Sequence, residues 1–141
     1  MKLNQAGTDL IKSFESCRLS VYEDIVGLNT VGWGQRTNLP VGTTITQLQA
    51  DNMLADHLDE ICNQIKHCLE VELNDNQFSA VVSLVYNIGI GNFESSTLLK
   101  LLNLQQFQAA SEEFKRWDLA SGRVVDGLLR RRLAERQLFD S

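Results

Sequence analysis

The chain has 141 residues, of which 43% are hydrophobic and 22% charged, with a formal net charge of −5. This balance is typical of one soluble globular domain, and the negative charge argues against a nucleic-acid partner, since such partners bind through neutralised phosphates. The first twenty residues hold no apolar run of signal-peptide or anchor length, and no two of the three cysteines form a Cys-x-x-Cys motif. We therefore expect synthesis in a reducing cytoplasm.

The chain opens with a predicted helix that Asn4 caps and Glu15 closes. Its apolar positions follow helical spacing at Ala6, Leu10, Ile11 and Phe14. From Leu19 to Thr37 the pattern changes to short β-branched and aromatic runs broken by glycines, which predicts a β-hairpin or small meander. A first turn between Glu23 and Asn29 would put Asp24 at a strand end and Thr30 on the returning strand.

The rest of the chain reads as helices. A capping box at Thr46 and Gln49 precedes a stripe of apolar residues that predicts one long helix: Leu54, Leu58, Ile61, Ile65 and Leu69. The run from Asn74 to Gly89 is apolar nearly all round, which predicts a central buried helix. Further helices are predicted at Ser96 to Leu102, Leu104 to Trp117 and Gly127 to Phe139, separated by Asn103 and by a Ser121-Gly122 break.

These elements predict an α+β fold: one helix, a small antiparallel sheet and a helical bundle. We expect a single domain over residues 1–141, with a β-containing lobe at about 15–45 and a linking helix at about 46–70. A helical lobe at about 70–141 would also include the N-terminal helix. The C-terminal part is locally basic, with seven Lys or Arg against three acids between Phe114 and Arg136.

Two carboxylates and a hydroxyl, on Glu15, Asp24 and Thr30, surround the predicted chain reversal. Cleavage of a glycosidic bond needs one carboxylic acid for the leaving oxygen and a carboxylate that activates water or stabilises the cation. Glu23 could replace Asp24 as the second carboxylate, but neighbouring strand residues point to opposite faces, so only one of them faces the site. Glu15, one of the two hairpin carboxylates and Thr30 thus supply the groups that this reaction needs, and together they indicate glycoside hydrolysis.

On these residues the chain resembles the phage-type lysozymes, the endolysin or muramidase group of glycoside hydrolase family 24, over nearly its whole length. The family pattern of Glu, eight residues, Asp, five residues and Thr matches Glu15, Asp24 and Thr30. Four further stretches are similar, at residues 7–15, 30–34, 76–89 and 127–136. Gln35 stands where the family usually has His, and we expect it to affect local packing or cleft polarity rather than the reaction.

The resemblance implies hydrolysis of the β-1,4 bond between N-acetylmuramic acid and N-acetylglucosamine in bacterial peptidoglycan, in a cleft between the two lobes, with lysis of the host. Glu15 would be the general acid, Asp24 the ionised base or electrostatic partner, and Thr30 the residue that orients the attacking water. Inversion is favoured, and it requires about 6.5–9.5 Å between the carboxyl groups. We expect no metal ion or cofactor and a monomer. Without a signal peptide, the protein would reach the periplasmic wall through a separate membrane lesion.

Four residues are candidate substrate contacts: Tyr22, Trp33, Asn87 and Phe93. For the two hairpin aromatics, packing is the alternative to stacking on sugar rings; the other two match positions near the helical wall of the family's cleft. Arg18 or one of Arg130 to Arg132 could pair with Glu15, with ordinary surface ion pairs as the alternative.

Other functions remain as alternatives. His57, Cys62 and His67 point in different directions around one helix, since Cys62 lies about 140° and His67 about 280° from His57, so they do not form a metal site. Cys17 has no neighbouring His base for a thiol nucleophile. The Arg-rich terminal helix could contact anionic membranes, or the fold could serve only as a wall-binding or scaffold domain.

Overall fold

A computed structural model describes residues 1–120 and 122–141 of the chain. The described residues divide into two compact units, one formed by Met1–Ile11 with Ile61–Ser141 and the other by Lys12–Glu60. The first helix and the long second helix each contribute residues to both units. Within the described residues, no helix is long and apolar enough to cross a membrane.

The α+β architecture is confirmed, with the elements in the following order. They are α1 (Gln5–Phe14), β1 (Arg18–Glu23), β2 (Asn29–Gly32), β3 (Gln35–Arg36), α2 (Gln47–Cys68), α3 (Asp75–Ile88), α4 (Ile90–Glu94), α5 (Thr97–Asn103), α6 (Phe107–Glu113), a 3-10 turn (Phe114–Trp117), β4 (Leu119–Ala120), β5 (Arg123–Val124) and α7 (Asp126–Asp140).

The Lys12–Glu60 unit contains a three-stranded antiparallel sheet in the order β1-β2-β3. Tyr22 lies opposite Thr30, and Thr30 lies opposite Arg36, so these three residues form one row across the sheet. The register of β1 against β2 shifts between Arg18 and Tyr22. The core of this unit consists of buried apolar side chains from the sheet and from the part of α2 that belongs to the unit: Val21, Val31, Ala50, Leu54 and Leu58.

The start of α2 confirms the predicted capping box. The Thr46 hydroxyl accepts a hydrogen bond from the Gln49 amide at 3.1 Å, and the Gln49 side chain accepts one from the Thr46 amide at 2.8 Å. Four of the five predicted stripe residues are buried. Leu69, the fifth, is half-buried and lies just beyond the end of α2.

In the other unit, α3 is the predicted central helix, since every residue from 78 to 85 is buried. A second capping box, between Asn74 and Gln77, starts this helix, and Gly89 ends it. Helix α3 packs along α7. Two arginines of the predicted basic cluster, Arg131 and Arg132, lie buried in this packing and pair with the buried Glu135.

The predicted N-terminal helix is confirmed as α1, with Ile11 buried and Ala6 exposed. Gly7 is the other buried position, because its missing side chain lets the helix approach Ser79 closely.

Later predictions about the elements were partly wrong. The helix predicted from Leu104 begins only at Phe107, since Gln105 adopts a positive φ of 57°. Helix α4 and the short β4–β5 pair were not predicted. A helix break was predicted at Ser121 and Gly122. Gly122 has a φ of 77°, and Ser121 lies outside the described residues.

Candidate active site

Asp24 organises a tight turn directly after β1. Its backbone amide donates to the Leu28 carbonyl at 2.9 Å, and its own carbonyl accepts from the Gly27 amide at 2.9 Å. Its side-chain Oδ1 accepts from the Val26 amide at 3.0 Å and from the Leu28 amide at 2.9 Å. Gly27 has a φ of 83°, a conformation that other residues rarely adopt. The turn therefore fixes the carboxylate through one oxygen and leaves Oδ2 for other partners.

Thr30 lies on β2 and is only 3% exposed. Its hydroxyl donates to the Leu28 carbonyl at 3.0 Å, so the hydroxyl proton is committed to the backbone. The same oxygen accepts a hydrogen bond from Arg36 Nη1 at 3.0 Å. Since a hydroxyl oxygen has two lone pairs, Thr30 retains the capacity for one further donor.

Arg36 joins these two residues. Its Nη1 forms an ion pair with Asp24 Oδ2 in addition to its bond to Thr30. The hydrogen bond from Arg36 and the backbone amide of Leu28 hold the pKa of Asp24 below its ordinary value, so Asp24 is ionised at neutral pH. Arg36 was not among the residues predicted from the sequence. The sequence feature that could have indicated it is the glycine pair around Trp33, since a chain reversal centred there pairs Thr30 with Arg36.

Glu15 follows the last residue of α1 and is half-buried. It belongs to the Lys12–Glu60 unit, as do Asp24 and Thr30. Glu23, the alternative second carboxylate, is exposed and lies opposite Asn29. The structure therefore brings Asp24 and Thr30 together through Arg36 and puts Glu15 at the end of a helix in the same unit.

Comparisons with known proteins identify the family. Residues 12–135 match the family model described as phage lysozyme. The chain belongs to the phage lysozyme family. Its enzyme class is therefore that of a lysozyme, a glycoside hydrolase of bacterial peptidoglycan, as the sequence resemblance predicted.

Individual relatives of this lysozyme-family chain are endolysins and a muramidase domain. It is 39% identical to an endolysin of Acyrthosiphon pisum secondary endosymbiont phage 1, covering 100% of this chain and 99% of that protein. It is also 39% identical to an endolysin of Bacillus phage PZA, where it covers 100% of this chain but only 56% of the relative. The muramidase domain of SpmX from Asticaccaulis excentricus superimposes with a TM-score of 0.91 at 32% identity, over 99% of this chain and 98% of that one.

The two hairpin aromatics of this lysozyme-family chain are tied to protein groups. The Arg18 guanidinium lies 4.3 Å from the centre of the Tyr22 ring. Trp33 Nε1 donates to Asp51 Oδ1 at 2.9 Å, and Lys12 Nζ lies 5.4 Å from the centre of the indole. Both rings are half-buried, so each keeps some surface for a sugar while taking part in packing.

The two remaining substrate candidates lie in the other unit. Asn87 is exposed near the end of α3. Phe93 has 0% exposure, so its ring would reach a ligand only after a rearrangement of its surroundings. Gln35, the departure from the family pattern, is also buried at 8% exposure, which fits the expected effect on local packing.

The structure shows contacts for three of the arginines that could pair with Glu15. Arg131 and Arg132 pair with Glu135, at 3.3 and 2.7 Å, and Arg18 lies over Tyr22. A pair between Glu15 and Arg18 or one of Arg130 to Arg132 stays a prediction. Beside Arg36 is a surface depression of about 480 Å³, lined by Leu28, Asn29, Arg36, Thr37 and Asn38. Among the described residues, no group of three or more His, Cys, Asp or Glu side chains could hold a metal ion.

Proposed function

We propose that this chain is an endolysin that lyses its host by cleaving the β-1,4 bond between N-acetylmuramic acid and N-acetylglucosamine, with Glu15 as the general acid and Asp24 as the base. The observation that carries the assignment is the state of Asp24. Its carboxylate bonds to one guanidinium and two backbone amides and is ionised at neutral pH. A carboxylate held in its charged form by these donors suits the base, and we assign the acid role to Glu15 because the family pattern has its Glu at this position.

Thr30 holds the attacking water in this proposal. Because its proton is donated to the Leu28 carbonyl, the hydroxyl can only accept from a water molecule. A water that donates one proton to Thr30 and the other to Asp24 Oδ2 keeps a lone pair on its oxygen for attack on the sugar. Tyr22, Trp33 and Asn87 remain proposed substrate contacts, whereas Phe93 is buried.

The reaction proposed is inverting, with a water between the second carboxylate and the sugar. Proton NMR of the products from a β-linked oligosaccharide tests this directly. Inversion gives the α-anomer first, before mutarotation, whereas early β-anomer would establish retention and make Asp24 a nucleophile or an ion-pair partner of the oxocarbenium ion.

The acid assignment is tested by Glu15→Gln on purified peptidoglycan, measured by turbidity and by released reducing ends. Loss of general acid catalysis should lower the rate by on the order of 10²–10⁴-fold, with an unchanged circular dichroism spectrum. Glu23→Gln is the matched control, since it removes an exposed carboxylate from the same hairpin and should leave the rate close to that of the wild type. A Glu15→Gln enzyme that still cleared the wall normally would refute the assignment.

The same assays separate the alternatives. Wall binding without released reducing ends would indicate a binding or scaffold domain. Killing of live cells by Glu15→Gln would indicate action on membranes, but the buried Arg131 and Arg132 leave the Arg-rich helix with fewer exposed cations than the sequence predicted.

We further propose that the protein acts as a monomer on the periplasmic wall after release through a lesion made by a separate protein. Expressed alone, it should then leave cells intact until the membrane is permeabilised, and light scattering should give the mass of one chain. Lysis on expression alone would contradict the proposed route.

A further inference from the structure

One guanidinium nitrogen of Arg36 contacts both Asp24 and Thr30, the two residues proposed above to bind the attacking water. Nη1 donates to Asp24 Oδ2 and, at 3.0 Å, to Thr30 Oγ1. The Arg36 side chain is 56% exposed, whereas that of Asp24 is 18% exposed. The cation therefore reaches from the surface to a more enclosed pair of oxygens.

The strand register explains how Arg36 reaches both groups. Arg36 lies directly opposite Thr30 across the β2–β3 pair, so the two side chains project from the same face with their Cβ atoms about 4.5–5.5 Å apart. Asp24 follows the end of β1, the strand on the far side of β2. A long arginine crosses that distance, while a short side chain at position 36 would not.

We propose that Arg36 is a positioning residue, which holds the Asp24 carboxylate and the Thr30 hydroxyl together so that one water fits both. This inference rests on the function proposed above. The hydrogen-bond inventory agrees with it. Asp24 Oδ1 is used by the turn, and Oδ2 and Thr30 Oγ1 each give one lone pair to Arg36. Each of these two oxygens keeps one lone pair, and together they match the two protons of a single water.

The effect of replacing Arg36 on the Asp24 carboxylate depends on the other charged groups around Asp24. On β1, Glu23 is adjacent in sequence, and its Oε1 lies 3.4 Å from where a Cβ on Gly27 would be, while Arg18 faces Tyr22. Strand β2 carries no titratable residue, and Arg36 is the charged residue of β3. Glu15, at the end of α1, is the other carboxylate of the proposed pair. Loss of Arg36 therefore removes the cation bound to Asp24, while the carboxylate of the adjacent Glu23 stays.

Arg36→Met and Arg36→Lys test the proposal, with rates on solubilised peptidoglycan fragments measured against pH. Arg36→Met should lower kcat on the order of 10²-fold, the cost of misplacing reacting groups by about 1 Å, with little change in KM. The acidic limb of the pH profile should move to higher pH, because the carboxylate loses the partner that favours its ionised form. Arg36→Lys should restore the acidic limb more than the rate, since lysine supplies the charge without the planar fork.

Two controls make the result specific. Arg116→Met removes an arginine whose side chain is 76% exposed. This variant should leave both the rate and the pH profile unchanged. Thermal unfolding of each variant separates a loss of fold from a loss of rate. A fall in rate with the acidic limb unmoved would overturn the proposal in favour of a structural role.

A rate above that of the wild type in Arg36→Met would overturn it in the other direction, since the guanidinium would then occupy the place of the water. Failure of the underlying function is distinguishable from either result. If Glu15→Gln is active in the same assay, the acid and base assignment fails; if it is inactive while Arg36→Met behaves as the wild type, only the positioning role fails.

Discussion

Gly7 shows how strongly one missing side chain can determine packing. A Cβ at this position would lie 2.6 Å from Ser79 Cβ and 2.8 Å from Leu3 Cδ1. The amide of Asn4 donates to Ser79 Oγ at 3.0 Å next to this contact. Helix α1 and Ser79 of α3 therefore meet closely because residue 7 is glycine.

Gly7→Ala should consequently destabilise the protein by about 1–3 kcal/mol, the usual cost of overpacking, in spite of alanine's better helix propensity. Urea unfolding measures the change. Gly91→Ala is the matched control, since Gly91 also lies in a helix but a Cβ there would meet no atom within 4 Å. It should be neutral or stabilising, and equal effects of the two substitutions would refute the packing argument.

Asp51 contributes a pH-dependent part of the stability. Its carboxylate accepts from Trp33 Nε1 and from Gln47 Nε2 at 3.0 Å, and Lys12 Nζ lies 3.7 Å away. The bond from Trp33, then that from Gln47, hold the pKa of Asp51 below its ordinary value. A carboxyl with a lowered folded-state pKa stabilises the fold above its unfolded pKa of about 3.9, and this contribution is lost as the pH falls through the folded value.

Asp51→Asn should therefore reduce the fall in Tm between pH 6 and pH 3, since it removes one group whose protonation opposes folding in acid. Calorimetric scans across this range measure the effect. Asp140→Asn is a suitable comparison because Asp140 is half-exposed at the end of α7. If both variants keep the acid sensitivity of the wild type, Asp51 does not contribute to it.

At the scale of the element, the starts of α2 and α3 were predicted correctly. The side chains that cap α2 and α3 satisfy backbone amides locally, so their signature is contained in four consecutive residues. The predicted cap at Thr46 is therefore found in the structure, and Asn74, from which α3 was predicted to run, caps that helix.

Asn74→Ala should cost about 1 kcal/mol of unfolding free energy, because the Gln77 amide loses its acceptor at 2.7 Å. Chemical denaturation measures this value. Gln64→Ala, at an exposed position inside α2, should change the stability by no more than about 0.5 kcal/mol. An Asn74→Ala variant as stable as the Gln64 control would show that the cap is dispensable.

Elements without a local signature were missed or misplaced. Helix α6 begins late because the Gln106 amide bonds back to the Leu101 carbonyl at 2.9 Å, closing a turn that needs the positive φ of Gln105. A non-glycine residue gives no sign of this conformation in the sequence. Strands β4 and β5 have two residues each, which is too short for an alternating pattern to be visible.

At the scale of the whole molecule, the least expected feature is the buried charge cluster on α7. Glu135 receives Arg131 at 3.3 Å, Arg132 at 2.7 Å and the Ser83 hydroxyl at 2.5 Å. Burial raises the pKa of Glu135, and the two guanidiniums oppose that rise. The sequence shows only a run of arginines, and a run alone does not reveal that Glu135, three and four residues on, shares their buried face.

Glu135→Ala should destabilise the protein by about 3–5 kcal/mol, because it removes the carboxylate that pairs with the fully buried Arg132 guanidinium. Asp140→Ala, which breaks the exposed pair with Arg136 on the same helix, should cost no more than about 1 kcal/mol. Denaturant unfolding of the two variants side by side checks the contrast. A small effect at Glu135 would mean that water reaches the arginines once the acid is removed.

The candidate site divides in the same way between local and non-local information. Glu15, Asp24 and Thr30 were predicted from their spacing and from the family resemblance, because each lies at a helix end, a turn or a strand that the local sequence specifies. Arg36 depends on strand register, which pairs it with Thr30 across a neighbouring strand. Apart from the glycine pair around Trp33, residue type and spacing did not indicate that pairing.

The two oxygens of the Asp24 carboxylate have different roles. Oδ1 closes the turn by accepting two backbone amides, and Oδ2 meets Arg36. A descendant of this protein that had abandoned hydrolysis would still need an acceptor here to fold its hairpin. The presence of an aspartate directly after the first strand therefore does not by itself indicate an active enzyme. If Glu15 supplies the acid, as proposed above, position 15 distinguishes active from inactive members of such a lineage better than position 24 does.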